Sequence, residues 1–64
     1  MDPNELDALP LHSVIEKSGH FLIKIEGTLD TAWLDTDTLY EWFSPKLDGA
    51  RLISTPNNNE GNDK

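Results

Sequence analysis

The sequence contains no cysteine. This absence excludes disulfide bonds, thiolate catalysis and every zinc or iron–sulfur site that depends on cysteine ligands. The chain is also short, at 64 residues, and a domain of this size buries only about 60% of the surface that its unfolded chain exposes. Without disulfides, dense packing, a partner or self-association must supply the stability that the small core lacks.

Basic residues are scarce and long hydrophobic runs are absent. Five Lys and Arg residues stand against twelve Asp and Glu residues, which gives a formal net charge of −7. Such a charge repels phosphates and anionic lipids, so we expect no direct binding to nucleic acid and no membrane association. No apolar run is longer than residues 21–23, whereas a membrane helix needs about 20 apolar residues. The acidic N-terminus is unlike a secretory signal peptide, so we expect a cytoplasmic protein.

The two ends of the chain differ in composition from its middle. Residues 1–10 are rich in Asp, Glu, Asn and Pro, which predicts a flexible acidic arm with room for one helical turn. Residues 56–64 offer no apolar side chain to offset the entropy of ordering, so we predict a disordered polar tail. Residues 11–55 are predicted to form a single small α+β domain.

A β-hairpin is predicted over residues 11–26. Phe21, Ile23 and Ile25 alternate with more polar neighbours, a period of two that is typical of a half-buried strand with these three side chains facing the core. Ser18-Gly19 supplies the turn, which would pair Lys17 with His20. The first segment of this hairpin also fits a short helix.

Asp35 and Asp37 form a D-x-D pair that resembles the loop of haloacid dehalogenase-type phosphotransferases. The resemblance fails, because Leu39 stands where that motif has Thr or Val. Asp35 fits the N-cap of a helix better, since its carboxylate would accept the free N–H groups of the first turn. Asp37 would then meet the positive end of the helix dipole, and Leu34 would pack on Leu39. We therefore predict a helix over residues 36–43 rather than a catalytic or metal-binding loop.

The remaining segments complete a small predicted sheet. Thr28–Leu34 fits a third strand or, slightly better, a short helical turn, and residues 50–55 fit a last strand that Pro56 ends. Trp42 and Phe43 are predicted to cover the apolar face of the hairpin. The expected fold class is α+β, an antiparallel sheet of about three strands with the helix over residues 36–43 packed on one face.

No sequence pattern indicates a nucleophile with its base, a metal set or a phosphate loop, so we expect neither an enzyme nor a bound cofactor. The predicted function is noncatalytic: a small acidic regulator or inhibitor of a larger protein with a basic surface. Acids would steer association and aromatic groups would supply contact energy, with Trp33 kept partly exposed as an anchor. The predicted partner-binding residues are Asp30, Trp33, Asp35, Asp37, Tyr40, Glu41 and Asp48.

Two alternative functions also fit the sequence. The protein could be a DNA mimic of the phage or plasmid type, with carboxylates that occupy a nucleic-acid-binding groove. It could instead form a structural homodimer in which the edge strand near residues 51–55 pairs with its copy.

Overall fold

A computed structural model describes residues 1–56 and has a mixed α+β fold with a single antiparallel sheet. In chain order the elements are α1 (Pro3–Ala8), β1 (Val14–Lys17), β2 (His20–Glu26), β3 (Thr31–Asp35), β4 (Glu41–Trp42), a 3₁₀ helix (Ser44–Leu47) and β5 (Arg51–Ser54). The strand order is β4-β3-β2-β1-β5. The sheet thus has five strands rather than the predicted three or so. Apart from Pro56, the predicted disordered tail over 56–64 lies outside the described residues and stays a prediction.

The first hairpin is confirmed, including its register. Lys17 lies opposite His20 across the turn, and both turn residues, Ser18 and Gly19, have positive φ angles of 54° and 86°. Two consecutive positive φ angles define a type I′ turn, whose twist matches that of the flanking strands. The last predicted strand is also confirmed, as β5.

The buried face of β2 is the opposite of the predicted one. Leu22 and Lys24 are 2% and 5% exposed, whereas Phe21 is 49% exposed. Alternation shows that a strand has two different faces, but the layer packed above the sheet decides which face is covered. Here that layer accommodates Lys24, because its ammonium donates to the carbonyl oxygens of Leu6, Asp7 and Leu9, and a buried charge is tolerated when it is fully hydrogen-bonded.

The predicted flexible arm is instead largely the helix α1. Asp2 and Glu5 form a reciprocal capping box: Asp2 Oδ1 accepts from the Glu5 N–H at 2.9 Å, and Glu5 Oε1 accepts from the Asp2 N–H at 3.0 Å. Pro3 occupies the first turn, where its missing N–H costs nothing. The helix then buries Leu6 completely. The acidic composition of the segment therefore reflects capping rather than disorder.

The core lies between the sheet and a second layer formed by α1 and the 3₁₀ helix. Its buried apolar residues are Leu6, Ile15, Leu22, Trp33, Leu47 and Ala50. Three of them come from three adjacent strands, and Leu6 and Leu47 come from the two helices. A hydrogen bond also joins the two helices to each other, because the hydroxyl of the buried Ser44 in the 3₁₀ helix donates to Asp7 Oδ1 in α1 at 2.6 Å.

The predicted helix over residues 36–43 is wrong, and the segment forms a second hairpin instead. The chain reverses after Asp35, with Leu39 at a φ of 66°. The Asp35 N–H then donates to the Tyr40 carbonyl at 2.9 Å, and β4 pairs with β3. Since β3 is Thr31–Asp35, the preference for a helical turn over Thr28–Leu34 is also wrong.

Among residues 1–56, no helix is long and apolar enough to cross a lipid bilayer.

Candidate functional site

Large apolar side chains are exposed along the end of the β3–β4 hairpin. Leu39 and Tyr40 are 70% and 66% exposed, and Trp42 and Phe43 are 37% and 44% exposed. We call these four residues the aromatic edge, because β4 is the outermost strand on this side of the sheet. A domain with so few core residues has little apolar surface to spare, so these four exposed side chains are a candidate interaction surface.

Leu39 holds an unfavourable backbone conformation within this edge. Its φ of 66° lies in the left-handed region, which costs a residue with a Cβ atom about 1–2 kcal/mol. The side chain is mostly exposed, so burial within this chain returns little of that cost. Strain of this kind persists only where its surroundings impose it, and it occurs often at functional sites.

Two of the predicted acids flank the aromatic edge. Asp37 lies in the β3–β4 loop and is exposed, and Glu41 is the first residue of β4. The Glu41 carboxylate accepts from the Thr28 N–H at 3.2 Å and from the Thr28 hydroxyl at 3.3 Å. Glu41 is therefore held against the β2–β3 loop, while Asp37 is the more freely exposed charge.

The other predicted acids do not join this pair. Asp30 lies in the loop before β3, at the opposite end of that strand from Asp37, and Asp48 follows the 3₁₀ helix. Asp35 is only 4% exposed. The acidic residues therefore form no single row along one element.

Trp33 is buried, so the expectation that it stays partly exposed is wrong. It is 1% exposed, with Lys24 Nζ 5.7 Å from its ring centroid. It lies directly opposite Trp42 on β4, and the two side chains therefore share one face of the sheet. Trp42 is the exposed tryptophan of the pair.

A pocket opens between the aromatic edge and the helical layer. Its volume is about 380 Å³, and Tyr40 and Trp42 form part of its wall. The other lining residues are Lys17, Ser18, His20, Leu22, Asp35, Thr38, Lys46 and Leu47. Three segments far apart in sequence thus meet here: the β1–β2 hairpin, the β3–β4 hairpin and the 3₁₀ helix.

Asp35 organises the pocket floor. Its Oδ1 accepts the N–H groups of Asp37 at 2.8 Å and Thr38 at 3.3 Å, and His20 Nδ1 lies 3.2 Å from its Oδ2. Burial acts to raise the pKa of Asp35, but the two backbone hydrogen bonds and the nearby imidazole together hold that pKa below its ordinary value. The carboxylate is therefore a structural anion that fixes the loop.

His20 Nδ1 is an unsatisfied group in this wall. It lies near Asp35 Oδ2 and 3.8 Å from Asp37 Oδ2, yet the atom is buried and neither contact has hydrogen-bond geometry. The three side chains do not amount to a metal site: within residues 1–56, no group of three or more His, Cys, Asp or Glu is arranged to hold a metal ion.

Only some of the residues of this site could be predicted from the sequence. Tyr40 is among the predicted partner-binding residues and is exposed. The period-two spacing of Tyr40 and Trp42 indicates a strand, but the capping pattern at Asp35 favoured a helix over the same residues. Lys17 and Lys46 were missed, as was His20, because they come together only through the fold. Whether any of these residues binds a partner stays a prediction.

Comparison with known proteins gives no match, since no protein-family model, no curated protein and no solved structure is significantly similar to this chain.

Proposed function

We propose that this protein is a noncatalytic regulator or inhibitor that binds a larger protein with a basic surface through its aromatic edge. The observation that carries the proposal is that four large side chains of one hairpin are exposed, Leu39, Tyr40, Trp42 and Phe43. Trp and Tyr are the residue types that most often dominate the energy of protein interfaces. The edge therefore replaces the buried Trp33 as the proposed anchor.

The charge of the molecule supports a basic partner. The net charge is −7, and Asp37 and Glu41 lie at the edge itself. Complementary charge speeds encounter between two proteins without adding much affinity at an exposed rim. In this arrangement the acids steer a basic surface toward the aromatic groups, which then form the contact.

The alternative functions have less support. A DNA mimic needs carboxylates at phosphate-like intervals on one face, whereas Asp35 is buried and Asp30 lies at the other end of β3 from Asp37. One specific observation supports the homodimer, in which β5 would pair with β5 of a second copy. That strand is the other edge of the sheet, and all four of its residues are exposed.

The proposal is tested by affinity capture with matched surface variants. Wild-type protein is immobilised beside the double variant Leu39→Ser/Tyr40→Ser, which removes two mostly exposed side chains of the edge. The control is Phe21→Ser/Leu29→Ser, which removes an aromatic group and a leucine that are exposed elsewhere. Extract of the source organism is applied to each, and retained proteins are identified by mass spectrometry.

We expect a protein with a basic surface to be retained by the wild type and the control but lost from the edge variant. Circular dichroism checks that both variants are folded. Equal retention by the edge variant would refute the proposed surface. A captured nucleic-acid-binding protein that DNA releases would favour the mimic, and concentration-dependent self-association with no captured protein would favour the homodimer.

A further inference from the structure

Two lysines line the pocket beside the aromatic edge of this strongly acidic protein, together with the carboxylate of Asp35. Lys17 and Lys46 both line it, although only five Lys and Arg residues occur in the whole chain. Among residues 1–56, neither lysine forms an ion pair with a carboxylate. Lys17 Nζ donates to the Asp48 carbonyl at 2.8 Å, a neutral contact that positions the ammonium and leaves its charge uncompensated.

The walls between these charges are apolar. Leu22 and Leu47 are core residues that reach the pocket, and Tyr40 and Trp42 contribute aromatic surface. Pockets for small organic molecules have volumes of about 300–1,000 Å³, mostly apolar walls and a few convergent polar groups. At about 380 Å³, this one is near the lower end of that range, which suits a single ring with a short chain.

We propose that this pocket binds a small organic acid, a carboxylate attached to an aromatic or branched aliphatic body. The carboxylate would lie between Lys17 and Lys46, with the apolar body against Tyr40 and Trp42. His20 Nδ1 is buried and lies 3.2 Å from Asp35 Oδ2, so the positive charge that a ligand would meet comes from the two lysines. This site goes beyond partner binding by the aromatic edge and does not depend on it.

The acid Asp35 does not reverse this preference for an anion. Its Oδ1 is occupied by two backbone N–H groups and its Oδ2 faces His20, so its oxygen atoms are engaged within the loop, although its negative charge remains at the pocket wall. Asp37 opposes anion binding, because its exposed carboxylate lies near His20 at the rim. The two lysines therefore have to outweigh two nearby acids, Asp35 and Asp37, and the affinity should fall as salt screens the lysines.

The test titrates isolated, ¹⁵N-labelled protein with three ligands of nearly equal shape: 3-phenylpropionate, 3-phenylpropanamide and 3-phenylpropylammonium. Amide chemical shifts locate the site and give the affinity. We expect saturable shifts around residues 17–20, 35–42 and 46–47 with the carboxylate. We expect binding of the ammonium to be at least about tenfold weaker than that of the carboxylate, because the charge at the lysines is reversed.

Two variants that each remove one positive charge show whether binding depends on the charge at the pocket or on the net charge of the protein. Lys46→Gln should weaken binding of the carboxylate by about three- to tenfold. Arg51→Gln, an exposed residue that pairs with Glu16 on the other side of the sheet, should leave it unchanged. The proposal is overturned by any of four results: no saturable shift, shifts centred elsewhere, equal binding of the three ligands, or equal effects of the two variants. The titration contains no partner protein, so a negative result would refute the ligand site without bearing on the proposed binding of a partner by the aromatic edge.

Discussion

Lys24 joins strand β2 to helix α1 through its side-chain ammonium. Its ammonium closes the C-terminal end of the helix by donating to three carbonyl groups, at 3.1, 2.9 and 2.7 Å. Lys24→Met keeps most of the apolar stem but leaves these acceptors without their donor. We expect the free energy of unfolding to fall by about 1–3 kcal/mol, measured by urea denaturation.

The matched control for Lys24 is Lys46→Met, which changes an exposed lysine in the same way. It should alter the free energy of unfolding by no more than about 0.5 kcal/mol. If the two variants were equally stable, the contacts of Lys24 would contribute nothing net, and the apolar core alone would hold α1 on the sheet.

Asp35 should make the fold sensitive to acid. Its pKa in the folded protein lies below the ordinary value of 3.8, so the unfolded chain binds a proton more readily than the folded one. The resulting stability is present above about pH 4 and is lost as the pH falls through the lowered pKa. Asp35→Asn retains an oxygen acceptor for the loop but cannot titrate. We therefore expect its stability to change less than that of the wild type between pH 5 and about pH 2.

The control for this pH effect is Asp48→Asn, which removes an exposed carboxylate outside the β3–β4 loop. Its unfolding midpoint in urea should follow the wild-type pH dependence. A pH profile of Asp35→Asn that coincides with the wild type would show that the hydrogen bonds of Asp35 do not favour its ionised form.

At the scale of elements, the second hairpin explains why a helix was predicted and not formed. The local chemistry was identified correctly: the Asp35 carboxylate does accept the N–H groups two and three residues later. A helix N-cap and an Asx turn use the same contacts. The residues after the turn decide between the two structures, and here the β-favouring Tyr40 and Trp42 lead the chain back along β3, with Trp42 paired to Trp33.

The other elements were predictable where neighbouring residues decide the structure, and not where a distant segment does. The first hairpin and its register depend on the Ser18-Gly19 turn, which acts within a few residues. Its buried face was not predictable, because α1 covers it and α1 comes from a segment whose composition suggested disorder. The capping box of Asp2 and Glu5 was a signal for that helix, but Leu6 is its only buried residue.

Replacement of Leu39 by glycine tests whether the backbone of this hairpin is strained. The control is the same replacement at Leu29, which should change stability in the opposite direction. Leu39→Gly removes the Cβ atom from a residue with a φ of 66°. We expect the free energy of unfolding to rise by up to about 1 kcal/mol, since relief of strain exceeds the entropy that glycine adds to the unfolded chain. Leu29→Gly, at an exposed position without positive φ, should lower it by about 0.4–1 kcal/mol. Equal losses in both variants would show that Leu39 is not strained.

At the scale of the whole molecule, amino-acid composition narrows the kind of partner that we expect, but it does not indicate where on the surface that partner would bind. The charge of −7 makes a basic partner the expectation, and the aromatic edge is the surface that we propose for it because its four side chains are exposed. The fold also gathers two of the few lysines beside that surface. Charge counts carry no information about such a grouping, because it depends on how distant segments meet.

The acidic surface should act mainly on the rate of association. Asp37→Asn/Glu41→Gln removes both charges at the aromatic edge while retaining polar side chains. Rim charges accelerate encounter more than they hold a complex together, so this variant and added salt should each lower the association rate more than they raise the dissociation rate. Tyr40→Ala, which removes a contact group, should act chiefly through faster dissociation. Surface plasmon resonance against the captured partner, at low and physiological salt, measures both rates.

A second charge variant shows whether position or net charge governs the association rate. Glu26→Gln/Asp48→Asn removes the same two negative charges from exposed positions outside the edge. Because exposed charges farther apart than about 8–10 Å are largely screened at physiological salt, this control should associate faster than the edge variant there. At low salt, where charges act over longer distances, the two variants should converge. Equal slowing at both salt concentrations would assign steering to the whole molecule, and no slowing in either variant would leave the acids with solubility as their only role.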